Sequence, residues 1–100
     1  MINVIASIHI KAGNVPKFIS IFKSNMPNVL QEKGCIEYVP TIDFSTVIPQ
    51  ELNSNIVTII EKWASLQALQ AHLASPHMLA YKEQVKDIVE KISLKILTEA

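Results

Sequence analysis

The chain contains no arginine: all nine of its basic residues are lysines, and nine acidic residues balance them to a net charge of +0. Arginine supplies the planar forks that hold phosphates and carboxylates and read base edges, and nucleic-acid-binding domains present a basic face. The composition therefore argues against a nucleic-acid partner and against bidentate anion recognition.

Glycine and cysteine are also scarce, with two glycines and one cysteine in 100 residues. Two glycines cannot build a Gly-rich phosphate loop. The lone Cys35 excludes an internal disulfide and a cysteine-based zinc site, so we expect a reducing, cytoplasmic location. The first residues lack the basic and apolar regions of a signal peptide. No apolar run reaches the ~20 residues of a membrane span.

Hydrophobic residues are abundant, at 49% of the chain, with a mean hydropathy of +0.26. The length predicts a single domain over residues 1–100. A chain of this size buries only roughly 60–70% of its unfolded surface, so its core is small. We therefore expect surplus apolar surface to be covered in a homodimer.

Hydrophobic periodicity predicts a mixed set of elements. Alternation with period two is typical of strands, and apolar spacing of three and four is typical of helices. In chain order, we predict a strand over 2–10, a helix from 15 that stops near 33–34, a strand over 35–44, a polar loop over 45–54, a strand over 55–63, a short helix through 74, a helix from 76 with an apolar face reaching 89, and a strand over 92–97.

Local signals mark the ends of several elements. Asn14, Ser65 and Ser75 are each placed to cap a helix N-terminus, and Pro76 suits the first helical position. Pro40 cannot donate a ladder hydrogen bond, so the strand that contains it belongs at a sheet edge or a bulge.

The order of strand, helix, strand, strand, helix pair and strand is the split βαβ pattern of a ferredoxin-like α+β sandwich. One face of the sheet packs on the helices. The strands carry apolar residues on both faces, so the second face also needs cover. Back-to-back packing of two sheets in a homodimer would provide it.

Two histidines are the main candidates for chemistry. His72 lies at the edge of the apolar stripe of its helix, where it is either a partly buried structural histidine or a general base. His77 follows Pro76 in the first turn of the next helix, where it is either an exposed capping-region residue or a neutral hydrogen-bonding group. Their spacing and the missing third ligand argue against a metal site.

Three aromatic residues are candidates for a ligand pocket. Trp63 at a strand end and Tyr38 are core residues by default, and ligand-facing groups in the alternative. Tyr81 lies one turn after His77 on the same helix face. Asp43 and Glu61 are interpreted as surface carboxylates of their strands, not as an acid–base pair.

These residues lie within segments that resemble a known family. Gly34-Cys35-Ile36-Glu37-Tyr38, Ile60-Glu61-Lys62-Trp63 and the block from Ala71-His72 through Ser75-Pro76-His77-Met78 to Tyr81 are similar to the antibiotic biosynthesis monooxygenase family. The resemblance is strongest to its small bacterial quinol monooxygenase branch. It runs nearly end to end, from Val4 to Leu97.

The resemblance implies a dimeric α+β barrel, in which two ferredoxin-like protomers pack sheet to sheet. It also implies a pocket between each sheet and its own helices, and oxygenation of quinol-like aromatics by O2 without metal or flavin. Trp63, His72, His77 and Tyr38 match motif positions of the family. Some members are associated with an active-site arginine, which this chain lacks, so that part of their mechanism does not transfer.

The leading hypothesis is a cofactor-independent monooxygenase that converts a quinol or dihydroxy-aromatic to a quinone. His72 is the predicted base and His77 the predicted hydrogen-bond partner of the oxyanion, in an apolar pocket around Trp63, Tyr38 and Tyr81. The partners are then a small aromatic substrate, O2 and a second copy of the chain. Two alternatives stay open: an isomerase or tautomerase of a small carbonyl compound, and a small-ligand-binding dimer without turnover.

Overall fold

A computed structural model describes residues 1–100 and confirms the α+β class. The elements are β1 (Ile2–Ile10), α1 (Val15–Leu30), β2 (Cys35–Thr41), β3 (Ile56–Trp63), α2 (Leu66–Leu73), α3 (Pro76–Val85) and β4 (Val89–Leu97). The strands form one antiparallel sheet in the order β2-β3-β1-β4. This order is the ferredoxin-like arrangement that the sequence pattern predicts.

Alternation along the two central strands separates the faces of the sheet. Ala6 of β1 pairs with Ile59 of β3, and Ile8 pairs with Val57. All four side chains are buried beneath the helices. The intervening residues of β1 are only partly buried, because they project to the face that carries no helix.

Helix α1 packs an aromatic face against the sheet. Phe18 and Phe22 are buried in the core. Leu30 continues the apolar spacing of this helix, but it is 51% exposed at the last helical position. Asn25 takes a buried position instead, and its Nδ2 donates to Met78 Sδ at 3.5 Å.

Two of the three predicted helix caps are confirmed. The hydroxyls of Ser65 and Ser75 each accept a hydrogen bond from the backbone N–H three residues later. Asn14 occupies the N-cap position of α1, but its side chain makes no capping bond and donates instead to the Ala12 carbonyl at 3.3 Å. The predicted N-cap position is therefore confirmed, while the side-chain capping bond does not form because the Asn14 amide bonds to the preceding turn.

Two strand boundaries differ from the prediction. β2 ends at Thr41, short of Phe44, and the sheet pairing with β3 ends there as well. β4 begins at Val89 and not at Ile92. The prediction that the helix reaches 89 is wrong, because α3 ends at Val85 and the turn that closes it ends at Ile88. Pro40 lies on an edge strand, as predicted.

The helices leave part of the sheet uncovered. They contact each other and the β2–β3 half of the sheet. Three apolar residues of β4 that share the inner face are each about half exposed, namely Ile92, Leu94 and Ile96. None of the three helices combines the length and apolar character that a membrane span requires.

Candidate active site

A cavity of about 440 Å³ lies between the sheet and the helices. Its wall is mostly apolar and includes residues from every strand and helix. The charged or titratable side chains in the wall, apart from two tyrosines, are Glu61, His72, Lys82 and Lys86. A cavity of this volume with few polar groups suits a small aromatic ligand.

One carboxylate holds both predicted histidines. Glu32 Oε2 lies 2.8 Å from His72 Nδ1 and 2.8 Å from His77 Nε2. We call this group of three residues the Glu32 clamp. The side chains of Glu32 and His77 are 14% and 26% exposed, and that of His72 is 1% exposed. The clamp thus joins the segment after α1 to both later helices.

The connection between α2 and α3 orients the two imidazoles. Ser75 caps α3 and also donates its hydroxyl to the His72 carbonyl at 2.8 Å. His72 lies in the last turn of α2, and His77 lies in the first turn of α3. The Ser-Pro step turns the chain between them, so that both rings reach Glu32.

The clamp assigns the tautomer of His72. An ionised carboxylate only accepts hydrogen bonds, so Nδ1 of His72 carries the proton that it donates to Glu32. The other ring nitrogen, Nε2, has no hydrogen-bond partner in the protein. Because His72 lines the cavity, its Nε2 is a free proton acceptor at the cavity wall.

Burial keeps His72 neutral. Desolvation lowers the pKa of His72 below the ordinary 6.5, and the hydrogen bond and charge of Glu32 oppose that shift without reversing it. In a neutral imidazole whose Nδ1–H is hydrogen-bonded to a carboxylate, Nε2 is suited to accept a proton from a ligand.

The Trp63 ring packs against the His72 ring. Its side chain is 0% exposed, and its ring centroid lies 4.5 Å from that of His72. Its Nε1 donates to Glu61 Oε1 at 3.0 Å. Trp63 is not part of the cavity wall, but it contacts His72 and Glu61, which are.

The two tyrosines do line the cavity. The Tyr38 ring meets His72 edge-on with centroids 5.4 Å apart, and it stacks on Phe22 at 4.9 Å. Burial raises the pKa of Tyr38 and of Tyr81 far above neutrality. Both phenols therefore remain protonated. The Tyr38 hydroxyl donates to Met78 Sδ at 4.0 Å, and the Tyr81 hydroxyl can donate to a ligand in the cavity.

His77 lies outside the cavity wall, with its Nε2 directed to Glu32. The structure thus brings His72, Tyr38 and Tyr81 to one cavity and places Trp63 and His77 around His72. No group of three or more His, Cys, Asp or Glu side chains has the arrangement of a metal site.

The interpretation of Glu61 as a surface carboxylate is wrong. Glu61 is only 7% exposed and lines the cavity. Its side chain projects to the same inner face of β3 as those of Val57, Ile59 and Trp63. Strand alternation alone could therefore have predicted that Glu61 is buried. Glu32 had no such signal, because 40 and 45 residues separate it from its two partners.

The fold and cavity define a class: a ferredoxin-like α+β domain with a small-ligand site between sheet and helices, in which a buried imidazole faces an apolar cavity. The family model described as "Antibiotic biosynthesis monooxygenase" matches residues 1–84. The chain belongs to this family.

Individual proteins are also similar to this chain in sequence or in fold. The Escherichia coli (strain K12) protein named "Probable quinol monooxygenase YgiN" is 36% identical over 100 residues, covering 97% of this chain and 96% of that protein. A conserved protein from Methanosarcina mazei Go1 superposes with a TM-score of 0.85 at 25% identity, covering 99% of this chain and 92% of the other. Rv0793 from Mycobacterium tuberculosis superposes at 0.82 and 20% identity, covering 99% and 94%.

Proposed function

We propose that the protein is a cofactor-independent monooxygenase that converts a quinol to a hydroxyquinone with O2. One quinol and one O2 give one hydroxyquinone and one water, so one oxygen atom enters the ring and the other leaves as water. The observation that carries the proposal is the free Nε2 of a buried, neutral His72 at the wall of an apolar cavity.

His72 starts the reaction by removing a proton from one hydroxyl of the quinol. The resulting anion is electron-rich enough to pass one electron to O2. The two radicals then combine at a neighbouring ring carbon to form a peroxide. A positioned base contributes a factor of roughly 10²–10⁴ to such a step.

The Glu32 clamp stabilises the imidazolium that forms when His72 accepts the proton. Its carboxylate accepts the Nδ1 proton at 2.8 Å and lies where positive charge develops. His77 donates to the same oxygen, so we propose that it acts on His72 through Glu32 and does not touch the substrate. This role differs from the direct oxyanion contact expected from the sequence.

The apolar wall packs against the aromatic ring, and the bound ring displaces water from the cavity. Tyr38 of β2 and Tyr81 of α3 contribute aromatic surface, and Tyr81 also contributes a phenol donor. Trp63 keeps the His72 ring in place through its 4.5 Å contact. Exclusion of water protects the anion and the peroxide from side reactions.

The test is oxygen uptake by metal-stripped protein with a panel of benzohydroquinones and naphthohydroquinones, followed by mass spectrometry after incubation with isotope-labelled O2. We expect uptake above the non-enzymatic rate and one labelled atom in the quinone product. Trimethylhydroquinone has one free ring C–H, whereas tetramethylhydroquinone has none and should give no hydroxyquinone.

Other outcomes would reject the proposal. Uptake that yields hydrogen peroxide and an unlabelled quinone would indicate an oxidase. Solvent deuterium exchange into a carbonyl ligand without O2 uptake would indicate an isomerase, and binding without either would indicate a ligand carrier. Activity that requires one specific added metal would overturn cofactor independence.

A further inference from the structure

The cavity holds a second buried titratable group that the mechanism above does not use. Glu61 projects from the inward face of β3 and lines the same cavity as His72. Its Oε1 accepts the indole proton of Trp63 at 3.0 Å. Its Oε2 has no hydrogen-bond partner and is not sealed off, so Oε2 is the Glu61 atom that a ligand can reach.

The surroundings of Glu61 favour its neutral form. Burial raises the pKa of Glu61, the hydrogen bond from Trp63 opposes that shift, and the negative charge of Glu32 adds to it. The other titratable or charged side chains of the cavity and its immediate surroundings are Cys35, Tyr38, His72, His77, Tyr81, Lys82 and Lys86. Both lysines are exposed: Lys82 lies on α3, and Lys86 directly follows α3 and pairs with Glu83.

The geometry points to Glu61 as the proton donor of the cavity: we propose that its Oε2–H hydrogen-bonds a substrate oxygen and protonates the oxygen that leaves as water. This inference rests on the proposed function and adds a catalytic residue to it. The fixed Oε1 contact with Trp63 orients the carboxyl group, so Oε2 is directed by the same indole that packs on His72.

The protons balance over the reaction. His72 takes one proton from the quinol hydroxyl and returns it to the peroxide that forms on the ring carbon. Glu61 gives its proton to the outer oxygen as the O–O bond breaks and water leaves. In the same step, the proton of the ring carbon that carries the peroxide passes to the Glu61 carboxylate as that carbon becomes a carbonyl. The electron pair of that C–H bond replaces the pair lost with the departing oxygen, so both residues return to their starting forms.

His72 and Glu61 are complementary in this cycle. A neutral base and a neutral acid in one apolar cavity can exchange protons with a substrate without placing two opposite charges there beforehand. Environments that push two pKa values in opposite directions are a recurrent sign of an acid–base pair. Here the pKa of His72 is lowered and that of Glu61 is raised, in each case chiefly by burial.

The first test uses Glu61→Gln and a ligand that cannot react. Tetramethylbenzoquinone has no free ring position, does not ionise and offers two carbonyl oxygens. In the wild-type protein, its affinity should fall about 5- to 20-fold as the pH rises through the ionisation of Glu61, because the donated hydrogen bond is lost. Glu61→Gln keeps an amide donor that does not titrate, so its affinity should not show that fall. Identical pH dependence in both proteins would overturn the inference, whether or not quinols are turned over.

The second test is quinol turnover. Gln can still accept the Trp63 hydrogen bond but cannot transfer a proton, so kcat should fall by roughly 10²–10⁴ while quinone affinity at low pH changes little. The alkaline limb of the pH profile should disappear and the acid limb should remain. Exposed Glu51→Gln is the matched control and should behave as wild type.

A purely structural role for Glu61 predicts another pattern: lower thermal stability with an unchanged pH profile and a kcat within about twofold of wild type. That pattern would overturn the inference while leaving the proposed monooxygenase intact. Wild-type protein that takes up no O2 with any quinol would reject the proposed function, and the quinone-binding test would then decide on Glu61 alone.

Discussion

At the scale of single residues, the site depends on one carboxylate oxygen that serves two imidazoles. Glu32 Oε2 lies 2.8 Å from a ring nitrogen of each histidine. Charge-assisted hydrogen bonds of this length are stronger than neutral ones, and a low local dielectric strengthens them further. The carboxylate fixes the orientation of His72 and favours its protonated form, against the effect of burial.

Replacing Glu32 with Gln tests that charge while keeping an oxygen acceptor. Without the carboxylate, the pKa of His72 should fall further, so the acid limb of the rate profile should move to lower pH. The imidazolium that forms in the reaction also loses its counter-charge, and kcat should fall roughly 10- to 100-fold. A plot of kcat against pH measures both effects. An unchanged profile in Glu32→Gln would show that the clamp has no electrostatic role.

The lowered pKa of His72 also makes stability depend on pH. As pH falls, the unfolded chain binds the proton first, near the ordinary pKa of 6.5. The contribution of neutral His72 to folding is therefore present above that pH and is lost as pH falls through the lowered pKa of the folded protein. The raised pKa of Glu61 acts in the opposite direction, but it is common to wild type and a His72 variant.

Urea unfolding of wild type and His72→Asn measures this contribution. Asn keeps a donor near the position of Nδ1 and cannot titrate. The difference in free energy of unfolding between the two proteins should shrink, or become more favourable to the variant, as the pH falls from about 8 to about 5. A difference that stays constant over that range would show that burial does not disfavour the imidazolium.

At the scale of elements, a close contact at Gly34 connects α2 to the start of β2. Gly34 has a φ of +87° and precedes Cys35, and an added Cβ would lie 2.6 Å from Ala68 Cβ. Its carbonyl also accepts from the Ala64 N–H at 2.8 Å. Glu32 lies two residues before Gly34, so this contact also fixes the segment that carries the clamp.

Gly34→Ala should therefore destabilise the protein more than Gly13→Ala. Both glycines have positive φ, which costs about 1–2 kcal/mol for alanine. Gly13 has a φ of +84° and no atom within 4 Å of the added Cβ, so only that cost applies. Gly34→Ala should lose about 1–3 kcal/mol more through the clash with Ala68. Urea midpoints compare the two variants, and equal losses would contradict the close packing.

The elements could be predicted from the sequence largely because their signals are local. Alternation in β1 and β3, and the serine caps of α2 and α3, depend on neighbours within a few positions. The structure confirms these elements, with shifts at the ends of β2 and β4 where tertiary pairing decides the boundary. Asn25 was missed because its partner Met78 is 53 residues away.

The site was less predictable than the fold for the same reason. His72, Tyr38 and Tyr81 were singled out from their residue types and positions, and they do share a cavity. The contact that orients His72 comes from Glu32, which belongs to no motif and lies just beyond α1. The position of Glu61 in the alternation of β3 indicated an inward side chain, but carboxylates are ordinarily found on the surface.

At the scale of the whole molecule, the uncovered face of the sheet predicts a homodimer. Ile60 of β3 pairs with Ile5 on one side and with Val39 on the other, which forms an apolar row across this face. Ile60 and Val39 are 38% and 40% exposed in the single chain. Packing of two such faces would bury the row.

Light scattering should give about twice the chain mass of 11.2 kDa for wild type. Ile60→Glu places a charge in the apolar row and should shift the protein to monomer. Leu79→Glu is the matched control, because Leu79 is 57% exposed on α3, away from that face, and its substitution should leave the dimer intact. A monodisperse wild-type monomer at micromolar concentration would contradict the dimer.

The central claim is that His72 is the base of a proton-transfer reaction in this cavity. The most direct measurement is kcat/KM for quinol oxygenation against pH in wild type and in His72→Asn, with folding checked by circular dichroism. Wild type should show a rate that rises with pH through one ionisation below the ordinary imidazole pKa of 6.5. His72→Asn should be slower by roughly 10²–10⁴ and lack that limb. A folded His72→Asn protein with the wild-type rate and the wild-type acid limb would contradict the account.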